Sequence, residues 1–339
     1  MRLPKPHEPT MTIKPIVSLL ALLSLASTAA PPPQAIDHSA LDAFLKVHVK
    51  PNGLVDYLAV RRPENLAQLN TYLDAIAKVD DLSLPRDERL ALYCNLYNAV
   101  MIKIVAERYR LGFMPSENNF RIFKEPTVRL GGRDGNVGNE LGRTISLDDL
   151  EHDLIRKRTL DPRIHAAVVC AAMDCPELIP EAYTPEKLDA QLQDRMTRWL
   201  TSPVHTPIDH AAKTVRPSGL FNTYNADFGG KDGAEQYIRK FLPPDTSTYK
   251  IEFRRAYDWT PNIAPPSPAD RYIYVSTPKA NLFDKPDGAL VTRAGMGTVH
   301  KVLSDSGAYL QIEHPRLTTP PQPPLFIPTS STSLYPPAP

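Results

Sequence analysis

Apolar residues recur at helical spacing through the first three quarters of the chain and in short strand-like runs after that. Over Ile36–Val49, Leu41, Phe44, Leu45 and His48 fall on one face and predict a helix. Pro51-Asn52-Gly53 is a turn signal, and a short Leu54–Tyr57 segment follows it. Leu66, Leu69, Leu73 and Ile76 predict a helix over Leu66–Ile76. Arg86–Arg108 is the longest helical pattern, striped by Leu90, Tyr93, Tyr97, Val100, Ile104 and Val105. Asn95 and Asn98 are three apart on it and share a face. Arg129–Gly142 is glycine-rich and predicts a loop. Ser146-Leu147-Asp148-Asp149 has the form of a capping box opening a helix to about Arg158, with Glu151 and His152 in its first turns. Ile164–Cys170 predicts a buried strand, and Pro185–Leu200 and Gly233–Phe241 predict helices. The fold class is therefore α+β: a mainly helical domain with a small sheet.

Beyond Pro261–Pro268 the period changes. Tyr272–Val275, Leu282-Phe283, Ala289–Arg293, Thr298–Leu303 and Ala308–Glu313 are short strand-like runs separated by glycine-containing turns, which predicts a small all-β barrel. Ala280-Asn281-Leu282-Phe283-Asp284-Lys285-Pro286 resembles a motif of bacterial SH3-like domains. The 36 prolines cluster at Pro31–Pro33, Pro261–Pro268 and Pro315–Pro339, as expected of linkers and a tail. The expected organisation is a signal peptide (1–30), a linker (31–36), the helical domain (37–262), a Pro-rich linker (263–270), the SH3-like domain (271–314) and a Pro-rich disordered tail (315–339).

Lys14, the apolar run Ile16–Ala26 and the small residues Ser27–Ala30 form a secretory-signal pattern, so the protein is expected to be exported to a periplasmic or extracellular space. The run is too short for a stable transmembrane anchor, which takes roughly 20 apolar residues, and no cysteine follows it to carry a lipid. A formal net charge of +1 gives no bias toward nucleic acid.

Candidate chemistry concentrates in Arg163–Pro176, which holds His165, Cys170 and Cys175. In an oxidising compartment Cys170 and Cys175 are either a disulfide or a thiol site. A thiol nucleophile needs a histidine base and a group to orient it. His165 or His152 is available as base, and Glu151, Asn95 or Asn98 as orienting group. On one straight strand His165 and Cys170 would point to opposite faces, so a direct pair needs a bulge; His152 carries no such condition. Asn95 and Asn98 either fix helix packing or, with Tyr97, face the pocket and bind substrate. Glu151-His152 reads equally as a solvated first turn. Cys170, Cys175 and His165 lack an evident fourth ligand, so no metal is expected, and no cofactor. Cys94 reads as a small buried residue, and His205 and His210 as surface.

Residues from about 37 to 262 resemble the domain of unknown function 547 family. The ordered matches are Pro51–Tyr57, Leu92–Ala99, Leu150-Glu151-His152, Arg163–Pro176, Ser218–Phe221 with Asp227-Phe228, and Tyr257-Asp258-Trp259. Cys94 stands where that family has an aliphatic residue, Val169 where it has asparagine, and Ala171-Ala172 where it has small polar residues. The resemblance implies a fold, broadly similar to the papain and transglutaminase-like group, and a site rather than a reaction. The expectation drawn from all of this is an exported thiol-dependent hydrolase or acyl transferase acting on cell-envelope amides. Its SH3-like domain would hold peptidoglycan or another envelope polymer. The alternative is a non-catalytic envelope protein stapled by a Cys170–Cys175 disulfide, and a thiol–disulfide redox partner is the third reading.

Overall fold

The computed structural model describes residues 36–108, 114–131, 142–254, 256–265, 271–296, 298–314 and 322–333. The expected signal peptide, the Pro31–Pro33 linker and most of the Arg129–Gly142 loop lie outside them.

The first region is built around one central helix. Helices α1 (Ser39–His48), α2 (Tyr57–Val60) and α3 (Pro63–Ile76) precede α4 (Arg86–Arg108). By length and composition α4 could cross a membrane, but 89% of its apolar window is buried inside the protein, as in a core helix. The turn before α2 shows why its sequence is Pro51-Asn52-Gly53. Gly53 has φ +76°, and an added Cβ would stand 2.6 Å from the Glu177 backbone, so only glycine fits. Asn262 ties that turn to the end of the region, donating to the Gly53 carbonyl and accepting from the Tyr57 hydroxyl at 2.8 Å.

Two small sheets flank the helices. β1 (Val128–Leu130) and β2 (Arg143–Ile145) pair antiparallel. β3 (Ile208–Asp209) and β4 (Thr214–Val215) pair antiparallel, and β4 pairs in parallel with β5 (Lys250–Ile251). Ser146 opens residues 147–159 with the expected capping box, exchanging hydrogen bonds with Asp149. Leu150–Arg156 then widens into a π-helical turn, a distortion that often accompanies function. The helix ends where Leu160 turns left-handed, at φ 52°.

The expected strand over Ile164–Cys170 is instead a 3₁₀ turn, Pro162–Ala166, leading into irregular backbone. Pro162 is pre-set for a first helical turn and Asp161 caps it by accepting from the Arg163 N–H. A short buried apolar run does not by itself separate strand from helix. The question of opposite strand faces therefore does not arise. His205 is also buried, at 7% exposure, against the surface position expected from its polar neighbours; His210 is exposed.

The second region is an antiparallel sheet of β6 (Tyr272–Val275), β7 (Lys279–Phe283), β8 (Leu290–Gly295), β9 (Val299–Asp305), β10 (Tyr309–Ile312), β11 (Leu325–Pro328) and β12 (Thr332–Ser333). Its order is β12-β6-β9-β10-β11-β7-β8. β11 and β12 fall in the stretch expected to be a disordered tail. β11 pairs with both β10 and β7, and its Leu325 and Ile327 alternate into the core, which proline counting conceals. The whole chain is thus mixed helix and sheet, with its large antiparallel sheet at the C-terminal end.

Candidate functional site

A cavity of about 1230 Å³ opens between the π-helical turn, the Cys170–Pro176 loop, residues 216–224 and the strand following Lys250. Its wall gathers most of the residues singled out in the sequence: Tyr97, Glu151, His152, His165, Cys170 and Cys175.

Asn95 and Asn98 are elsewhere. Asn95 donates to the Tyr183 carbonyl and accepts from the Tyr183 N–H, both at 2.8 Å. Asn98 donates to the Ala167 carbonyl at 2.9 Å and accepts from the Val169 N–H at 3.0 Å. Both amides are buried, each giving and taking one hydrogen bond with backbone that has no sheet partner, so they act as clamps, and neither is among the residues lining the cavity. Asn98 in particular fixes the segment that carries the cysteines. Tyr97, between them, does reach the cavity, as does Glu151. Burial, then the Glu151 carboxylate, push that phenol well above its ordinary value.

Cys170 and Cys175 are joined as a disulfide, with their Cα atoms 6.3 Å apart. The loop they close is held from outside. The Met173 N–H donates to the Thr260 carbonyl, and the Asn262 N–H to the Ala171 carbonyl. Ala171, next to Cys170, is left-handed at φ 62°, a conformation that costs a non-glycine residue about 1–3 kcal/mol. Cys175 Sγ accepts from the Cys170 N–H at 3.1 Å and from the Tyr257 hydroxyl at 3.2 Å. Cys170 Sγ lies 3.3 Å from the same hydroxyl. Among the described residues, neither histidine is hydrogen-bonded to a sulfur.

The histidines belong to a separate network centred on Asp227. His165 Nε2 lies 2.7 Å from Asp227 Oδ2. Arg156 grips both Asp227 oxygens through Nε (2.7 Å) and Nη2 (3.1 Å). The hydrogen bond from His165, helped by Arg156, holds the Asp227 carboxyl far below its usual range despite partial burial. Arg156 Nη1 donates to His152 Nδ1 at 3.1 Å, which puts a lone pair on that nitrogen and leaves Nε2 to carry the proton of neutral His152. Tyr224 stacks on His165 with centroids 4.6 Å apart, and the Arg156 guanidinium lies 4.4 Å above the Tyr224 ring. The π-helical turn supplies Glu151 and His152 to the cavity lining and Arg156 to the network on Asp227 and His152.

The lining also includes an aromatic shelf. Trp259 packs 4.6 Å from Tyr257 and 5.0 Å from Phe120. Gly219 lets the other wall close, since an added Cβ there would stand 2.4 Å from the Arg254 carbonyl. Sequence reading assigns no chemistry to Asp227, Arg156, Tyr224 or Tyr257. Asp227 and Tyr257 do stand in family-like motifs, and that is the signal pointing to them; Arg156 and Tyr224 carry none. Among the described residues no three His, Cys, Asp or Glu side chains converge as a metal site.

Residues 81–200 match the family model described as "Protein of unknown function, DUF547". That span holds α4, the π-helical turn and the Cys170–Cys175 loop, and ends before Asp227 and Tyr257. No curated protein and no solved structure matches the chain.

Proposed function

We propose that this is an exported cell-envelope protein whose cavity is a thiol-dependent hydrolase or acyl-transferase site, masked while Cys170 and Cys175 are joined. One observation carries the reading: Cys175 Sγ sits where a backbone N–H and a phenol both donate to it, in the wall of the cavity that holds His165 and His152. Two donors aimed at a sulfur favour its thiolate once the bond is reduced. Cys175 is then the nucleophile and Cys170 the masking partner. Asp227, held by Arg156, orients His165, the more enclosed of the two candidate bases. The fold is proposed to be of the papain and transglutaminase-like kind, and the C-terminal sheet an SH3-like module that holds peptidoglycan or another envelope polymer. Export rests on the N-terminal pattern of Lys14 and Ile16–Ala26.

The test is alkylation of the reduced protein across pH, read peptide by peptide, together with turnover of a fluorogenic peptide-amide panel. Cys175 is expected to react with a pKa below the ordinary value of about 8.5, and Cys175→Ala to abolish turnover. If Cys175 is no more reactive than Cys170, and both alanine variants keep the activity of the reduced protein, the thiol reading is wrong.

The disulfide itself favours a second reading, a non-catalytic envelope protein that binds a ligand in the same cavity. A bond that persists under physiological thiol concentrations, with ligand binding undiminished, would select it.

A further inference from the structure

The cavity wall that leads to Cys175 is a ruled strip of charge. The parallel pairing of β4 with β5 continues past both strands. The Glu252 N–H donates to the Val215 carbonyl, and the Arg254 N–H to the Pro217 carbonyl. Alternate residues of an extended chain share a face and are about 6.6 Å apart, so Lys250, Glu252 and Arg254 form one row. Within the row Lys250 pairs with Glu252 at 2.7 Å, and Arg216 stands beside it, 3.6 Å from both Glu252 and Asp209, so a ligand carboxylate would share these cations with the protein's own carboxylates. Arg216 and the three residues of the row line the cavity.

The row has a direction. Lys250 is at the solvent end, its side chain 74% exposed, whereas Arg254 is 23% exposed and lies 2.9 Å from Asp174, the neighbour of Cys175. Arg254 is also incompletely used. Its Nε is buried without a hydrogen-bond partner, and Nη2 meets Asp174 at ion-pair distance but outside hydrogen-bonding alignment. A guanidinium only partly engaged in this way can donate to a further carboxylate at its exposed edge. Lys231, also on the wall, has no carboxylate partner among the described residues. The cavity lining also carries two carboxylates, Asp148 and Glu151, one helical turn apart, and the shelf of Phe120, Tyr257 and Trp259.

We propose that the ligand is an extended peptide carrying free carboxylates. Its chain lies along the 250–254 strip, its carboxylates rest on Lys250, Arg216 and Arg254, and its apolar portion rests on Trp259. Glu252 within the row and Asp148 and Glu151 elsewhere on the lining repel a uniformly anionic polymer, so a mixed chain fits better than a polyphosphate. This names the substrate class of the site described above and rests on that reading for what happens at Cys175.

The experiment uses the mature protein as purified and follows the summed fluorescence of Trp199 and Trp259, of which Trp259 lines the cavity. The probes are the blocked pentapeptide Ac-Ala-Asp-Ala-Asp-Ala-NH2 and its Asn-for-Asp counterpart, with inorganic tripolyphosphate as competitor. The Asp peptide is expected to bind about tenfold or more tighter than the Asn peptide at low salt, with the gap closing as salt is raised. Arg254→Gln is expected to erase the gap. Because that variant also loses a partly buried ion pair to Asp174, Lys250→Gln, whose pair with Glu252 is exposed, is the second probe. It is expected to narrow the gap about threefold, with melting temperature shifted little. Equal binding of both peptides, binding of neither, a gap untouched by Lys250→Gln, or tripolyphosphate binding more tightly than the Asp peptide would each overturn the proposal. Cys175→Ser separates this from the chemistry. A gap that survives in Cys175→Ser, with no enhanced Cys175 reactivity in the reduced parent, keeps the peptide site and removes the nucleophile.

Discussion

The helical region and the C-terminal sheet bury different things. Nine apolar side chains, among them Ile273, Leu282, Leu310 and Ile327, fill the core of the sheet, and His300 is its one buried polar residue among those described. The helical region buries Asn95, Asn98, His165, Gln191 and others alongside its apolar core. Strand ladders satisfy the backbone of the sheet internally. The loops that surround a cavity have no ladder, so side-chain amides and carboxylates must take over that task. An opening in a protein is thus accompanied by buried polar clamps, and these can be read as the outline of the site.

The largest expected effect breaks the sheet alone. Leu282→Ala should destabilise by about 2–5 kcal/mol, measured by denaturant unfolding, while the rate of Cys175 alkylation in reduced protein stays at the parental value. Asn98→Ala is the counterpart in the helical region. Leaving the Ala167 carbonyl and Val169 N–H unpaired should cost about 2–3 kcal/mol, and here the alkylation rate should change too. If it does not, the clamp is not what positions the cysteine loop.

Asp227→Asn should remove about 2 kcal/mol at neutral pH. The depressed Asp227 carboxyl contributes stability that is present above its unfolded value of about 3.9 and lost as pH falls below it. The gap between the melting curves of parent and variant should therefore begin to narrow below about pH 4 and keep narrowing through the acid range; a constant offset would contradict the ion-pair account.

Both regions should respond to acid through a buried histidine. Burial lowers His38, against the opposing Asp37 charge, and His300, with help from Arg61, each to about 4. Their unfolded value is near 6.5, so each is neutral in the fold, and stability declines as pH drops from 6.5 toward 4. His38→Gln and His300→Gln should each flatten part of that decline when melting temperature is followed across the window.

The smallest effect tests the link between the regions. Arg62 and Glu313 pair at 2.5 Å with both side chains partly exposed. Arg62→Ala should cost no more than about 1 kcal/mol, with no change at the cavity. A larger loss would mean that the two regions stabilise one another through this contact.

Sequence alone determined the periodic elements. Arg86–Arg108 and the Ser146 capping box match the pattern read from residues, because helical spacing and capping are local properties. It also marked the segment His165–Cys175 and the pair Glu151-His152, which the fold brings to one cavity. What only tertiary structure decided was the partnership. Asp227 reaches His165 from 62 residues away and Tyr257 reaches Cys175 from 82. No spacing rule connects such distant positions. The same holds for the non-strand backbone after Pro162, fixed by Asn98 from another helix, and for β11, whose prolines look like a tail until β10 and β7 supply its hydrogen bonds. Local sequence sets which conformations are cheap, and only long-range contacts decide which groups meet.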